Sequence, residues 1–325
     1  MRITLAYKTL QAMNDCIQRD QGDAYRSNLR KVIPHIEDAY RTGDDPFRSH
    51  LGSSIVGQDC ARSIYYSHRW VTPSNHSGQM LRLFNRGHLE EARFIALLLT
   101  IGCEVYQQDE NGNQFRISHA DGHVGGSGDG VVIGIPDLAP GQAALGEFKT
   151  HNEKSFTKLA GENWRKFIEG EKGEQFTGDG VREAKFEHFV QMQTYMQKMR
   201  LPVTLYVAVN KNTDDIYCEL VALDSAFAEQ FLERGRKIAF STSPPDRINK
   251  SPGFWKCRFC DHKPVCHLKQ APARNCRTCI YSLPAQDGDA IALGPGSWIC
   301  KQHQKPITKA EQLAGCPSYV CRTDL

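Results

Sequence analysis

Gly125-Gly-Ser-Gly-Asp129-Gly-Val-Val-Ile-Gly-Ile-Pro136-Asp137, followed by Leu145-Gly-Glu147-Phe-Lys149-Thr150, is the stretch whose reading decides the fold. Glu147 and Lys149 alternate along one expected strand, so their side chains leave the same face. A carboxylate and an ammonium on one face of an otherwise apolar strand carry a desolvation cost, which implies a use for them. A second carboxylate beside Glu147 completes a divalent-metal site, with Lys149 placed to hold a water. Hairpin geometry selects that carboxylate. A turn over residues 135–142 makes facing residues sum to about 277, which sets Asp129 opposite Phe148, between Glu147 and Lys149. Asp137 falls in the turn, about ten residues and roughly 30 Å of extended strand from Glu147. It is read as a turn residue.

Working outward, residues 79–101 repeat Leu81, Phe84, Leu89, Ala92, Ile95, Ala96 and Leu99 at helical spacing. Strands are expected at 104–107, 130–134 and 143–149, then a charged, glycine-containing insertion over 151–182 and a helix over 183–200. Residues 203–210 and 216–223 form a hairpin pattern, and a helix follows from Asp224 to about residue 240. The first 45 residues read as polar helices, and Pro244-Pro245 marks the exit to a cysteine-rich tail. This order of helix, strands, helix, strands, helix implies an α/β core with a mixed sheet.

Composition bounds the function. The chain has 325 residues, 40% hydrophobic and 24% charged, which excludes collagen-like and wholly disordered classes. No run reaches the roughly 18–20 apolar residues of a membrane span, and the region after Met1 lacks a signal peptide's apolar stretch. A soluble intracellular protein with no membrane partner is expected. Residues 250–325 carry 11 Lys and Arg against 5 Asp and Glu, while the rest carries 29 against 32. A basic tail on a mildly acidic body implies an anionic partner such as nucleic acid.

An Asp before one strand with Glu-x-Lys on the next resembles the PD-(D/E)XK nuclease superfamily, and the flanking helices agree. Arg86-Gly87-His88-Leu-Glu90-Glu91-Ala92 resembles its first motif, in which a glycine precedes an acidic or His metal ligand by four residues. That register selects Glu91 ahead of Glu90 and His88. His188-Phe-Val-Gln191-Met-Gln-Thr-Tyr195 resembles the Gln-x-x-x-Tyr helix of the RecB-like and lambda-exonuclease-like branches. Gln191 and Tyr195 are i, i+4 neighbours suited to orienting the lysine or contacting a phosphate. The resemblance implies a restriction-endonuclease-like core in which Asp129, Glu147 and Glu91 hold Mg²⁺ or Mn²⁺ and Lys149 orients a water. It implies a DNA exonuclease acting on single-stranded ends in recombination, repair or phage DNA processing, alongside a partner protein, in the cytoplasm of a bacterial or phage-infected cell. A structure-specific endonuclease of the same fold and a non-catalytic nucleic-acid-binding protein with structural metals are the alternatives.

Of the 12 cysteines, Cys16, Cys60, Cys103 and Cys218 are scattered, and the other eight crowd between Cys257 and Cys321. Without a secretory signal, such clustering favours metal binding over disulfides. Cys257, Cys260 and Cys266 offer three ligands, and spacing leaves His262, His267 and Cys60 open as the fourth. Resemblance to the CRISPR-associated and RecB/AddB-type exonucleases implies Cys60 and a [4Fe–4S] cluster, with a zinc site completed by a histidine as the alternative. Cys276, Cys279 and Cys300 begin a zinc-ribbon-like group closed by Cys316, which four-thiolate chemistry favours, or by His303. The expected organisation is an N-terminal helical segment (1–50), a nuclease core closed by the cluster (51–270) and a zinc-ribbon-like module (271–325).

Overall fold

A computed structural model describes residues 3–35, 47–74, 76–286 and 295–325. Residues 36–46, within the N-terminal stretch expected to be helical, lie outside the described residues. The chain divides into two compact units, one taking Met1–Thr42, His76–Phe115 and Ser127–Ser225, the other Gly43–Asn75, Arg116–Gly126 and Ala226–Leu325.

The first unit is built on a run that must be covered on both sides: all eight residues of Val203–Asn210 are buried. The run is the fourth of five strands, β1 (Glu104–Tyr106), β2 (Gly130–Ile133), β3 (Ala144–His151), β4 (Val203–Asn210) and β5 (Ile216–Ala222), which lie across the sheet in chain order. Neighbours are antiparallel except β3 and β4, which are parallel. The sheet is therefore mixed, as the sequence implied. Three helices precede or flank it in sequence: α1 (Tyr7–Asp20), α2 (Asp23–Val32) and α3 (Gly78–Thr100). The parallel step needs a crossover, supplied by α4 (Glu153–Ala160), α5 (Trp164–Ile168), α6 (Gly180–Ala184) and α7 (Phe186–Met199). The insertion expected from its charge thus has a core of its own, where Trp164 packs on Phe156, Phe167, Phe176 and Tyr217.

The second unit has a sheet of Leu51–Gly52, Val124–Ser127 and Arg116–His119 in that order, and helices Ala61–His68 and Ser225–Ala239. Ile64, Tyr65, Tyr66, Val124 and Ile238 share its core. A second antiparallel sheet joins Ser282–Pro284, Trp298–Cys300 and Lys305–Ile307. Among the described residues no helix is long and apolar enough to cross a membrane.

Three expectations change. The β2–β3 pairs are Gly130 with Gly146, Val131 with Leu145 and Val132 with Ala144, one residue from the expected register. The loop begins a residue early because Gly134 takes a positive φ of 83° and ends the strand. Continued by one pair, this register sets Asp129 against Glu147 instead of Phe148, on the face that Glu147 and Lys149 share. Gly130 beside it has a packing reason, since a Cβ there would stand 2.9 Å from the Tyr106 carbonyl oxygen. The N-terminal stretch, read as polar helices alone, also extends the sheet: Leu5 bridges Glu219, and the Leu220 amide donates to the Thr4 carbonyl at 2.8 Å. Phe84, one of the residues at helical spacing, is exposed and stands edge-on to His76; the periodic apolar residues of α3 are buried only from Ala92 onward.

Asp137 has a further task. Its carboxylate accepts from the Lys8 amide at 3.1 Å, the Thr9 amide at 2.7 Å and the Thr9 hydroxyl at 2.6 Å. These amides belong to the first turn of α1, whose N-cap residue Ala6 has no side chain to satisfy them. A turn aspartate thereby caps a helix distant in sequence. Asp137→Ala is expected to cost about 1–2 kcal/mol in urea unfolding, as a lost N-cap does; an unchanged midpoint would contradict the capping role.

Candidate active site

The face of β3 carries Glu147, Lys149 and His151 at successive even steps. Glu147 pairs in parallel register with Tyr206 of β4, which places the tyrosine on the same face. Helix α3 is held against β3 through Phe94 and Phe148, whose rings are 5.7 Å apart. One turn before Phe94, that packing brings Glu90 and Glu91 to the site. Together Gly87, His88, Glu91, Asp129, Lys149, His151, Lys185 and His188 line most of a cavity of about 350 Å³.

Glu147 is fully buried, and Lys149 is ion-paired to its Oε1. Its Oε2 has no hydrogen-bond partner among the described residues. Asp129 stands beside the pair, its Oδ2 accepting from the Phe148 amide at 3.0 Å and lying 3.7 Å from Lys149 Nζ. Burial, joined by the charge of Asp129 and partly offset by Lys149, pushes Glu147 up to about 7. Burial alone would discharge Lys149, but Glu147 and Asp129 outweigh it and hold the ammonium charged. Glu219 is an instructive contrast. It is a second buried carboxylate on this sheet, yet it accepts from the Tyr217 hydroxyl at 2.6 Å and the Val181 amide at 2.8 Å. Both bonds fall on Oε2, and both donors belong to the fold, a tyrosine of the same strand and a helix amide. Glu147 is left with an acceptor oxygen and a cavity beside it.

The structure places the expected residues as follows. Asp129, Lys149 and Glu91 line the cavity, and Glu147 lies beneath Lys149. Glu90 also lines it but is ion-paired to Arg93 at 2.9 Å. Gln191 and Tyr195 do not line it. They are buried on α7 and hydrogen-bonded to each other. Burial raises the Tyr195 hydroxyl, with Glu147 and Asp129 adding to the effect, so it remains a neutral donor within reach of their charge. Sequence reading missed His151, Lys185 and Tyr206. The signal for His151 was present in the same two-residue alternation that linked Glu147 to Lys149.

Cys60, Cys257, Cys260 and Cys266 all belong to the second unit. Arg234 donates to the carbonyls of Val56 and Gln58, fixing the loop that leads to Cys60. Asp59 pairs with Lys256, drawing the neighbours of Cys60 and Cys257 together. Burial raises the Cys257 thiol, followed by the charges of Cys60, Cys260 and Cys266, so each of the three lies near Cys257. His262 is occupied otherwise: its Nε2 meets the Ser67 hydroxyl at 3.0 Å and its Nδ1 the Thr72 hydroxyl at 3.1 Å. Further on, Cys276, Cys279, Cys300, Cys316 and His303 line one small recess, with Cys316 Sγ and His303 Nε2 3.8 Å apart. The Cys321 thiol faces its neighbour's carbonyl. As the side chains stand, no group of three or more His, Cys, Asp or Glu among the described residues is arranged to hold a metal ion. Cys16, Cys103 and Cys218 are buried thiols.

No known family matches the chain, and no curated protein does. Among solved structures it is similar to the alkaline exonuclease LHK-Exo from Laribacter hongkongensis, at 14% identity and a TM-score of 0.35, over 58% of this chain and 86% of that one. LHK-Exo in complex with dAMP gives 17% identity at the same TM-score and coverage. SSO0001 gives 12% identity and a TM-score of 0.35, over 76% of this chain and 96% of that one. At such TM-scores the likeness decides nothing about the site.

Because folding raises the pKa of Glu147 from its usual 4.5 to about 7, the folded state holds this proton more tightly than the unfolded chain. Wild-type stability without metal therefore falls as pH rises through that window and flattens above it. Glu147→Gln lacks the term. In EDTA, the variant's stability relative to wild type should rise between pH 5 and pH 8, by up to about 3 kcal/mol. Parallel urea-unfolding profiles would contradict the buried, half-partnered carboxylate.

Proposed function

We propose that the chain is a metal-dependent deoxyribonuclease of the PD-(D/E)XK type, acting as an exonuclease on DNA with free, single-stranded ends. The observation that carries the reading is the buried Glu147 carboxylate. One oxygen is held by Lys149, the other has no hydrogen-bond partner among the described residues, and Asp129 and Glu91 line the cavity that Lys149 lines. Hard carboxylate oxygens with an ammonium beside them are a donor set for Mg²⁺ or Mn²⁺. Held by Asp129, Glu147 and Glu91, such an ion supplies charge neutralisation at the scissile phosphate and acidifies a water.

This chain's own groups do the positioning. Lys149 is kept charged by the two carboxylates and, with Glu147 and the Phe148 carbonyl taking two of its N–H groups, donates the third to the attacking water. Tyr195, backed by Gln191, remains a neutral donor behind the carboxylates. The cavity is acidic where Glu90, Glu91 and Asp129 line it and basic where Lys149 and Lys185 do, a polarity suited to a metal ion at one end and a phosphodiester at the other. A role in recombination, repair or phage DNA processing, with a protein partner and in the cytoplasm, accompanies the reading through the sequence resemblance.

The thiol groups complete the proposal. Cys60, Cys257, Cys260 and Cys266 hold a [4Fe–4S] cluster, supported by the neighbourhood of Cys60 around Cys257 and by the engagement of both His262 nitrogens. Zn²⁺ with a histidine is the less supported alternative. Cys276, Cys279, Cys300 and Cys316 hold Zn²⁺, with His303 as the alternative fourth ligand.

With Mg²⁺ or Mn²⁺, the protein should degrade labelled linear single strands from an end and spare closed circles, and EDTA should stop it. Glu147→Ala or Lys149→Ala should lower the rate at least about 100-fold. Wild-type rates in either variant would sink the assignment, and cleavage of closed circles would make the enzyme an endonuclease. Protein purified anaerobically should be brown with broad visible absorption, and Cys60→Ser should lose the colour. A colourless protein containing only zinc would overturn the cluster.

A further inference from the structure

The proposed chemistry leaves three cavity-side groups unused. His151 Nε2 and the Tyr206 hydroxyl are 2.9 Å apart, and the same hydroxyl lies 3.1 Å from His188 Nδ1. The two imidazoles stack, with centroids 5.7 Å apart and planes 14° apart. Both histidines line the cavity that holds Asp129 and Lys149, while Tyr206 is fully buried behind them. Burial, then Lys185, Lys149 and Lys211, pulls His151 down to about 3. Burial, then Lys149, His151 and Lys185, likewise holds His188 well below its usual value. Two neutral imidazoles share one hydroxyl.

A hydroxyl has one proton to donate, so between two neutral rings it donates to one and accepts from the other. The contact through Nε2 of one ring and Nδ1 of the other then ties both to the same tautomer. With N–H on Nε2, His151 donates to Tyr206, Tyr206 donates to His188 Nδ1, and the chain is directional. His151 Nδ1 remains as an acceptor and His188 Nε2–H as a donor.

We propose that His151, Tyr206 and His188 form a neutral proton relay that passes the attacking water's proton to the leaving ribose oxygen. This rests on the nuclease reading and deepens it. A lone pair of the water forms the new phosphorus–oxygen bond, and the pair of the broken bond stays on the leaving oxygen. The water's proton goes to His151 Nδ1, one proton shifts from His151 Nε2 to Tyr206 and one from Tyr206 to His188 Nδ1, and His188 Nε2 gives its proton to the leaving oxygen. No net charge accumulates, which suits a site that already holds two ammonium groups. Exchange with solvent after product release restores the starting tautomers. His151 and His188 are the catalytic residues of this step, and Tyr206 joins them.

Two measurements test it. Nitrogen-15 NMR of the metal-loaded protein at neutral pH should show both histidines neutral and both protonated on Nε2; a charged ring or differing tautomers overturns the relay without reference to activity. Tyr206→Phe keeps the ring and should melt near wild type. It should slow DNA hydrolysis about 100-fold, the scale of a lost general acid, yet slow thymidine 5′-(p-nitrophenyl phosphate) less than about threefold, because p-nitrophenolate needs no proton to leave. His188→Gln should show the same leaving-group dependence. Equal slowing on both substrates, or none on DNA, overturns the relay alone. A wild type that hydrolyses neither substrate overturns the nuclease reading and the relay with it.

Discussion

A buried carboxylate with one oxygen held and one oxygen free is the constraint on which the first unit turns. Taking an ionised carboxylate out of water costs several kcal/mol unless its acceptors are satisfied. Glu147 has Lys149 on one side and Asp129, itself negative, on the other. The lysine offsets part of the desolvation, the aspartate adds to it, and the carboxyl is left with a raised affinity for a proton. Much of the surrounding structure serves to hold this arrangement. The buried strand Val203–Asn210 backs it, Phe94 against Phe148 docks the helix that brings Glu91, and Gly130, next to Asp129, lets its strand pass close to the Tyr106 carbonyl.

The contrast with Glu219 shows why burial by itself is uninformative. Both carboxylates lie on the same sheet, and both are raised by burial. Glu219 joins β5 to the α6 turn through two donors on its Oε2. Glu147 lies beneath the cavity-lining Lys149, its Oε2 without a hydrogen-bond partner among the described residues. What separates them is the partners: a tyrosine and a backbone amide at Glu219, an ammonium and a second carboxylate at Glu147.

Much of this was legible before any coordinates. Period-two alternation placed Glu147 and Lys149 on one face, and the order of periodic segments implied a mixed sheet with strands close to where they occur. Hairpin arithmetic preferred Asp129 to Asp137 but missed the register by one residue, because a glycine with positive φ, not the proline, ends the strand. Asp137 was recognised as a turn residue, but its hold on α1 was invisible, since it joins segments more than a hundred residues apart. Helical spacing identified α3 without saying that its first half stays exposed, as periodicity reports a face and not what covers it. Nor did linear order show that residues 43–75 and 116–126 belong with the C-terminal part. His151 and Tyr206 were passed over for a related reason: their partners come from a parallel strand and a crossover helix.

The central claim is that the Glu147 site is built to take a divalent cation. Crystals soaked in Mn²⁺ and measured at a wavelength where manganese scatters anomalously test it most directly. The account predicts an anomalous peak roughly 2.0–2.3 Å from Glu147 Oε2 and a similar distance from an Asp129 oxygen, with Lys149 still beside the pair. Manganese absent from the site while other carboxylates in the crystal bind it, with Glu147 unmoved, would contradict it.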